Sequence, residues 1–132
     1  MIFVDTSGWF AAFVPWDPNH MAADSWLRTN NEQLVTTDYV IDELITLLER
    51  RGERRRGARA RDACFGEGCA QLEFVTPTDF LKVWDVHDTF TDKRWSFTDC
   101  VSRVVMERLG VNSAFSFDQH FSQFGTVSVL PR

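Results

Sequence analysis

The chain has 132 residues, which is the length of one domain and enough for a single sizeable core. Its composition, 44% hydrophobic and 25% charged, excludes an intrinsically disordered chain. The longest apolar run, Trp9 to Trp16, has eight residues and contains a proline, so it is too short to span a bilayer. No basic segment precedes the apolar start. We therefore expect a cytoplasmic protein with reduced cysteines.

The formal net charge of −5 is unevenly distributed. Residues 50–61, which we term the arginine strip, contain seven arginines and one glutamate, a charge of +6 that leaves −11 on the rest of the chain. Such a strip favours an anionic partner at one place on an acidic body. A solvated helix with good helix propensity explains the same pattern.

Apolar patterning predicts alternating strands and helices. The first half predicts a strand over Ile2–Asp5, helices over Ser7–Val14 and His20–Asn30, a strand over Leu34–Thr36, and a helix from its cap Asp38 to about Arg51. The second half predicts a helix from Arg54 to about Phe65, a strand over Leu72–Val75, a helix opened by Pro77 that buries His87, a helix capped by Ser96 or Thr98 and ended by Gly110, and strands over Val111–Phe117 and Val127–Leu130. This order predicts one α/β domain over residues 1–132. We expect a mostly parallel five-stranded sheet with helices on both faces, in which an order 3-2-1-4-5 would make the first and fourth strands neighbours.

Four acidic residues fall where such a fold binds ligands. Asp5 ends the first predicted strand and Asp118 follows the fourth, while Glu43 and Asp99 lie near the beginnings of two helices. Ligands of open α/β sheets bind beyond the carboxyl ends of the strands, so the four side chains are expected to converge. Taken singly, each acid has an ordinary explanation as a turn, helix-dipole or solvent-facing residue.

Carboxylates that converge repel one another unless a cation lies between them. Mg²⁺ binds a few carboxylates and keeps positions for water and phosphate oxygens. Such a site activates water and holds a phosphodiester for displacement, so the four acids predict metal-dependent hydrolysis of a phosphodiester.

Four segments carry a family resemblance: V-D-T-S near the start, T-D-Y-V-I-D-E-L, D-K-R-W-S-F-T-D, and S-F-D-Q-H-F near the end. In this order they resemble the PIN domain, and more narrowly the VapC-type ribonuclease toxins of type II toxin–antitoxin pairs. The resemblance covers nearly the whole chain. It implies a three-layer α/β/α sandwich with a mostly parallel five-stranded sheet of order 3-2-1-4-5. It also implies an Mg²⁺- or Mn²⁺-dependent endoribonuclease, a homodimer, and a cognate antitoxin that covers the site. The arginine strip then has two functional interpretations, RNA phosphate binding and antitoxin docking, beside that of a solvated helix.

The resemblance also implies roles for individual residues. Asp5 and Asp99 would be metal ligands, Asp118 would complete the metal shell, and Glu43 would bind metal or position the attacking water. These four acids are thus the predicted catalytic and metal-binding residues.

Supporting residues are implied near two of these acids. Ser7 matches the hydroxyl expected beside the first acid, with Thr6 as the alternative, and Thr98 would orient Asp99 through a hydrogen bond. Asp92 is a candidate fifth acid. A local turn explains His120 better than a role in the site, because one histidine near one acid defines no site.

Other functions are less well supported. The position two residues after Asp5, where haloacid-dehalogenase-type phosphatases need an aspartate, is Ser7. No phosphate-binding glycine loop or G-x-S-x-G nucleophile motif occurs in the sequence. Two alternatives stay open. One is a PIN-like DNA or flap nuclease, since the acids alone do not distinguish RNA from DNA. The other is a catalytically silent PIN-fold interaction module.

Overall fold

The computed structural model describes residues 1–66 and 68–132. The strands are β1 (Ile2–Val4), β2 (Leu34–Thr37), β3 (Gln71–Glu73), β4 (Ser113–Phe115) and β5 (Ser128–Leu130). The helices are α1 (Thr6–Phe13), α2 (His20–Thr29), α3 (Asp38–Arg50), α4 (Arg54–Arg61), α5 (Pro77–Thr89) and α6 (Phe97–Leu109). A π-helical turn, Asp62–Gly66, continues α4, and a 3₁₀ helix, Gln119–Phe124, precedes β5. Within the described ranges, no helix is long and apolar enough to cross a membrane.

The five strands form one parallel sheet in the order β3-β2-β1-β4-β5. The central strand β1 pairs through Phe3 with Val35 of β2 and with Ala114 of β4. All three of these side chains are fully buried. Helices cover both faces, so the predicted three-layer sandwich and its strand order are confirmed. The ends of β1 and β4 therefore lie side by side at one edge of the sheet.

Helix capping positions the residues at this edge. Thr37 caps α3, because its side chain accepts a hydrogen bond from Val40 N, so the prediction of Asp38 as the cap was wrong by one residue. Asp38 is the first helical residue, and its carboxylate accepts from Val75 N at 3.0 Å. Ser96 caps α6 as one of the two predicted candidates. Both caps fix where a helix begins at the carboxyl edge.

One expectation for the outer helices was wrong, the burial of His87. His87 is exposed. Its ring centroid lies 6.2 Å from that of Trp84 and 5.8 Å from that of Phe97. The reason is that α5 turns Asp79 and Val83 inward, where Asp79 binds Arg108 through three short contacts, and this leaves the aromatic side of the helix outside. The helix of the arginine strip is α-helical to Arg61 and π-helical from Asp62 to Gly66, so the predicted extent from Arg54 to about Phe65 is confirmed.

The first helix passes unusually close to β4. A Cβ atom added at Gly8 would lie 2.6 Å from the carbonyl oxygen of Phe115 and 2.7 Å from its ring, distances that require a shift of the backbone. Glycine therefore allows α1 to seat against the strand that ends at the candidate site. The usual gain of about 1 kcal/mol from replacing a helical glycine by alanine is expected to reverse here.

We predict that Gly8→Ala lowers the free energy of unfolding by about 2 kcal/mol in urea denaturation. The matched control is Gly57→Ala in α4, where the new Cβ would lie at an ordinary 3.6 Å from Ile45 Cδ1. The control is expected to be neutral or stabilising. A Gly8→Ala protein as stable as the control would contradict the close approach.

Candidate functional site

Asp5 lies where the two central strands end. It follows β1 directly and caps α1, since its Oδ1 accepts a hydrogen bond from Ser7 N at 3.1 Å. Its Oδ2 accepts from the Ser7 hydroxyl at 2.7 Å and from the hydroxyl of Ser116, which follows β4. Its own N–H donates to the carbonyl of Phe115. The carboxylate is 5% exposed and therefore held rigidly between the two strand ends.

Burial raises the pKa of Asp5 from 3.8 to about 6. Hydrogen bonds from Ser116 and Ser7 oppose this increase, and the nearby charge of Asp118 adds to it. Among the described residues, the Asp5 carboxylate accepts from two hydroxyl groups and one backbone N–H and from no cationic side chain, so its charged form is destabilised by burial. A bound cation would relieve that cost.

A second group of side chains faces the same edge from α6 and the 3₁₀ helix. Asp99 forms a capping box with Ser96, whose N–H donates to Asp99 Oδ2 at 3.0 Å. His120 Nδ1 lies 3.0 Å from Asp99 Oδ2 and 3.4 Å from Asp118 Oδ1. Asp118 caps the 3₁₀ helix by accepting from His120 N at 2.9 Å. Burial also raises the pKa of Asp99, with a smaller contribution from the charge of Asp118.

Asp118 links the two groups. Its negative charge raises the pKa of Asp5 and also the pKa of Asp99. Three of the four carboxylates that were expected to converge therefore lie at one edge of the sheet. Their mutual repulsion is the electrostatic pattern expected of a cation site.

The side chains of Asp99, Asp118 and His120 fit a divalent metal ion. One ligand atom from each lies within 4.8 Å of the others. Around an octahedral ion with bonds of about 2.1 Å, neighbouring ligand atoms are about 3 Å apart. The separations of 3.0 and 3.4 Å from His120 Nδ1 to the two carboxylates are close to that spacing. Beside Asp5, the buried hydroxyl of Thr6 has no hydrogen-bond partner in the described part of the chain.

Of the two predicted supporting residues, Ser7 contacts its acid and Thr98 does not. Ser7 contacts Asp5 and also accepts from Phe117 N at 2.9 Å, so this hydroxyl joins the two strand ends. The hydrogen bonds to the Asp99 carboxylate come from Ser96 and His120, and within residues 1–66 and 68–132 none comes from Thr98. Thr98 thus lies next to the site without orienting its acid.

Two of the acids named from the sequence lie outside the contacts described above. Glu43 is half-buried in the second turn of α3, a helix that packs against both α1 and α6. Among the described residues it has no hydrogen bond or ion pair with the other three acids. The candidate fifth acid, Asp92, is in an exposed turn and its carboxylate is 3.7 Å from Lys93 Nζ.

Sequence reasoning missed two members of the site. His120 was interpreted as a turn residue, although it contacts two of the acids. The D-x-H spacing at a strand end was the available signal, because an aspartate that accepts from the N–H two residues later folds the chain back on itself. Ser116, which donates to Asp5 and to which Asp118 N donates at 3.0 Å, had no sequence signal.

The family model for the PIN domain matches residues 2–127. The chain belongs to the PIN domain family. It is 34% identical over 131 residues to the 23S rRNA-specific endonuclease VapC20 of Mycobacterium tuberculosis, in both strain CDC 1551 and strain H37Rv. The match covers 99% of this chain and 99% of each relative. The resemblance carried by the four sequence segments is thereby confirmed.

Solved structures agree with this assignment. The crystal structure of M. tuberculosis VapC20, described as a sarcin–ricin loop cleaving toxin, has a TM-score of 0.93 and 31% identity, covering 99% of this PIN domain protein and 100% of that chain. FitAcB from Neisseria gonorrhoeae has a TM-score of 0.70 at 14% identity, covering 99% and 97% of the two chains, and shows that the fold is shared.

Proposed function

We propose that this PIN domain protein is a VapC-type toxin, a metal-dependent endoribonuclease in which Asp5, Glu43, Asp99 and Asp118 act at one site. The observation that carries the proposal is a carboxylate cluster at the ends of β1 and β4, in which Asp99 and Asp118 both contact His120 and the charge of Asp118 also acts on Asp5. We further propose that residues 1–132 form a single PIN domain. Its site of action would be the cytoplasm, where ribosomal RNA is found.

The proposed mechanism divides the work among these side chains. Asp5, Asp99 and Asp118 would hold Mg²⁺ or Mn²⁺, which when bound supplies an activated water and neutralises charge on the phosphodiester. Ser7 and Ser116 keep the Asp5 carboxylate in place through their hydroxyl groups. Glu43, in the second turn of α3, would accept a proton from the attacking water or complete the metal shell.

His120 adds a nitrogen donor to an otherwise oxygen-rich site. Imidazole suits Mn²⁺ better than Mg²⁺, which prefers carboxylates and water. We predict that His120→Ala weakens Mn²⁺ affinity by about tenfold or more and Mg²⁺ affinity by less. Titration of free Mn²⁺ by electron paramagnetic resonance measures this, and a nitrogen coupling in the bound spectrum should be lost in the variant.

The matched control for this metal titration is His87→Ala, an exposed histidine on α5. Its Mn²⁺ affinity should equal that of the wild type. Unchanged Mn²⁺ affinity in His120→Ala would show that His120 only orients the acids and does not bind the metal.

The proposed substrate is a structured RNA. The relative VapC20 is named for its action on 23S rRNA, and its solved structure for cleavage of the sarcin–ricin loop. We therefore propose a ribosomal RNA stem-loop as the target class. Matched stem-loops of RNA and DNA, each incubated with the protein and Mn²⁺, test this directly. RNA cleavage that chelation by EDTA abolishes is expected, DNA cleavage would favour a DNA or flap nuclease, and no cleavage would favour a silent interaction module.

Two protein partners are proposed. A cognate antitoxin would cover the acidic edge, as in VapC-type pairs. A second copy of this chain would dock on the exposed apolar side of α5, where Phe80, Leu81 and Trp84 are 37%, 68% and 45% exposed. Light scattering of the purified chain should then give twice the monomer mass, and Trp84→Asp should give the monomer mass.

A further inference from the structure

The arginine strip has far more positive charge than its own surroundings neutralise. Six of its arginines are exposed: Arg50, Arg51, Arg54, Arg55, Arg59 and Arg61. The ion pairs of the strip, in the part of the chain that the structure describes, are Arg56 with Glu53 at 2.9 Å and Arg61 with Asp62 at 3.2 Å. Five exposed guanidinium groups therefore have no carboxylate partner within residues 1–66 and 68–132.

This arrangement is unfavourable for an isolated helix. Arg55 and Arg59 are four residues apart on α4, a spacing at which like charges face each other and repel. The remainder of the chain is acidic, but within the described ranges its acids form no ion pair with these five side chains, although Glu49 and Arg54 line the same groove. The charge of the strip is thus available to an anion from outside the molecule.

The strip extends along α3 toward the acidic edge. Gly57 packs against Ile45 of α3, and a groove of about 370 Å³ between the two helices is lined by Ile41, Arg54 and Arg61. The helices α3 and α4 therefore run antiparallel. Since α3 begins where β2 ends, Arg61 is on the side of the catalytic edge, and Arg54 lies about 10 Å further away along the helix.

We propose that the arginine strip binds the phosphate backbone of the RNA substrate and directs it toward the acidic site. This inference rests on the proposed ribonuclease function. Three carboxylates at the catalytic edge repel RNA, so binding needs a positive surface elsewhere. Guanidinium forks match phosphate geometry. A protein partner is less favoured within the strip itself, because the exposed residues between the arginines are Gly52 and Ala58, which offer no large apolar anchor. The exposed ring beside the strip is Trp16, whose ring centroid lies 4.7 Å from the guanidinium carbon of Arg56 and which offers a face on which an RNA base can stack.

The test compares two triple variants that lose the same charge. The strip variant is Arg54→Ala, Arg55→Ala and Arg59→Ala, and the control variant is Arg28→Ala, Lys82→Ala and Arg132→Ala, three exposed cations outside the strip. All proteins also carry Asp99→Asn so that the RNA probe stays intact. Fluorescence anisotropy with an RNA stem-loop is measured over a range of salt concentrations, and circular dichroism compares the folded states.

The strip variant is expected to bind RNA at least tenfold more weakly than its Asp99→Asn parent, with a salt slope smaller by about 2. The control should lose much less. Equal losses in both variants, or no loss in the strip variant, would overturn the inference. If the wild type cleaves RNA while the strip variant binds it normally, only this inference fails. If the wild type neither binds nor cleaves RNA, the proposed function fails with it.

Discussion

Replacing Asp99 or Asp5 by asparagine should abolish RNA cleavage while the protein stays folded. A lost metal ligand removes several kcal/mol of transition-state stabilisation, which corresponds to a loss of about 1,000-fold or more. Asparagine keeps an oxygen that accepts from Ser96 N at position 99 and from Ser7 N at position 5, so the two helix caps survive. The measurement is the single-turnover rate with an RNA stem-loop and saturating Mn²⁺, beside a circular dichroism spectrum.

The control for both variants is Asp92→Asn, which removes an exposed acid outside the site. Its rate should match that of the wild type. If both site variants cleave RNA at the rate of this control, the metal site is not where the carboxylates converge, and the assignment of the nuclease site is wrong.

The buried Asp5 should make the metal-free protein less stable as the pH rises. Its pKa is 3.8 when unperturbed and about 6 in the folded chain, so the folded state binds more protons than the unfolded chain between these values. The free energy of unfolding therefore falls across this interval and then levels off above pH 6. A shift of this size corresponds to as much as about 3 kcal/mol.

Asp5→Asn isolates this effect, because asparagine does not titrate. The difference in unfolding free energy between the wild type and the variant, measured in urea with EDTA, should turn against the wild type from pH 4 to pH 7. At pH 7 we expect the inactive variant to be the more stable protein. Saturating Mn²⁺ should reverse that order by binding the wild type more tightly. A difference independent of pH would mean that Asp5 is not destabilised by its burial.

The placement of Asp5 favours cation binding and lowers the stability of the metal-free fold. A carboxylate held at the junction of β1 and β4 by Ser7 and Ser116 is preorganised for a cation. The same placement removes it from water and leaves it beside the charge of Asp118. The site is therefore a local cost to the fold that ligand binding offsets.

Much of the architecture followed from local pattern. Apolar runs that alternate with periodic helices predicted a parallel sheet with helices on both faces, because parallel strands need a helical crossover between them. The strand order was predicted by the family resemblance. The positions of Asp5 and Asp118 after their strands predicted the edge at which they meet. Capping preferences predicted the N-cap of α6 as one of two candidates, of which Ser96 is correct. For α3 they predicted Asp38, one residue after the actual N-cap Thr37.

The sequence by itself determined the class of fold, since strand ends and helix starts are set by neighbouring residues in the chain. The family resemblance that the sequence carries added the strand order, and with it the edge where three acids lie. Tertiary structure alone decided that His120 contacts Asp99, that Ser116 donates to Asp5, and that His87 is outside the core. Those outcomes depend on which side of one element faces another, a choice made when all the layers pack together. The local periodicity of the sequence therefore does not predict these contacts.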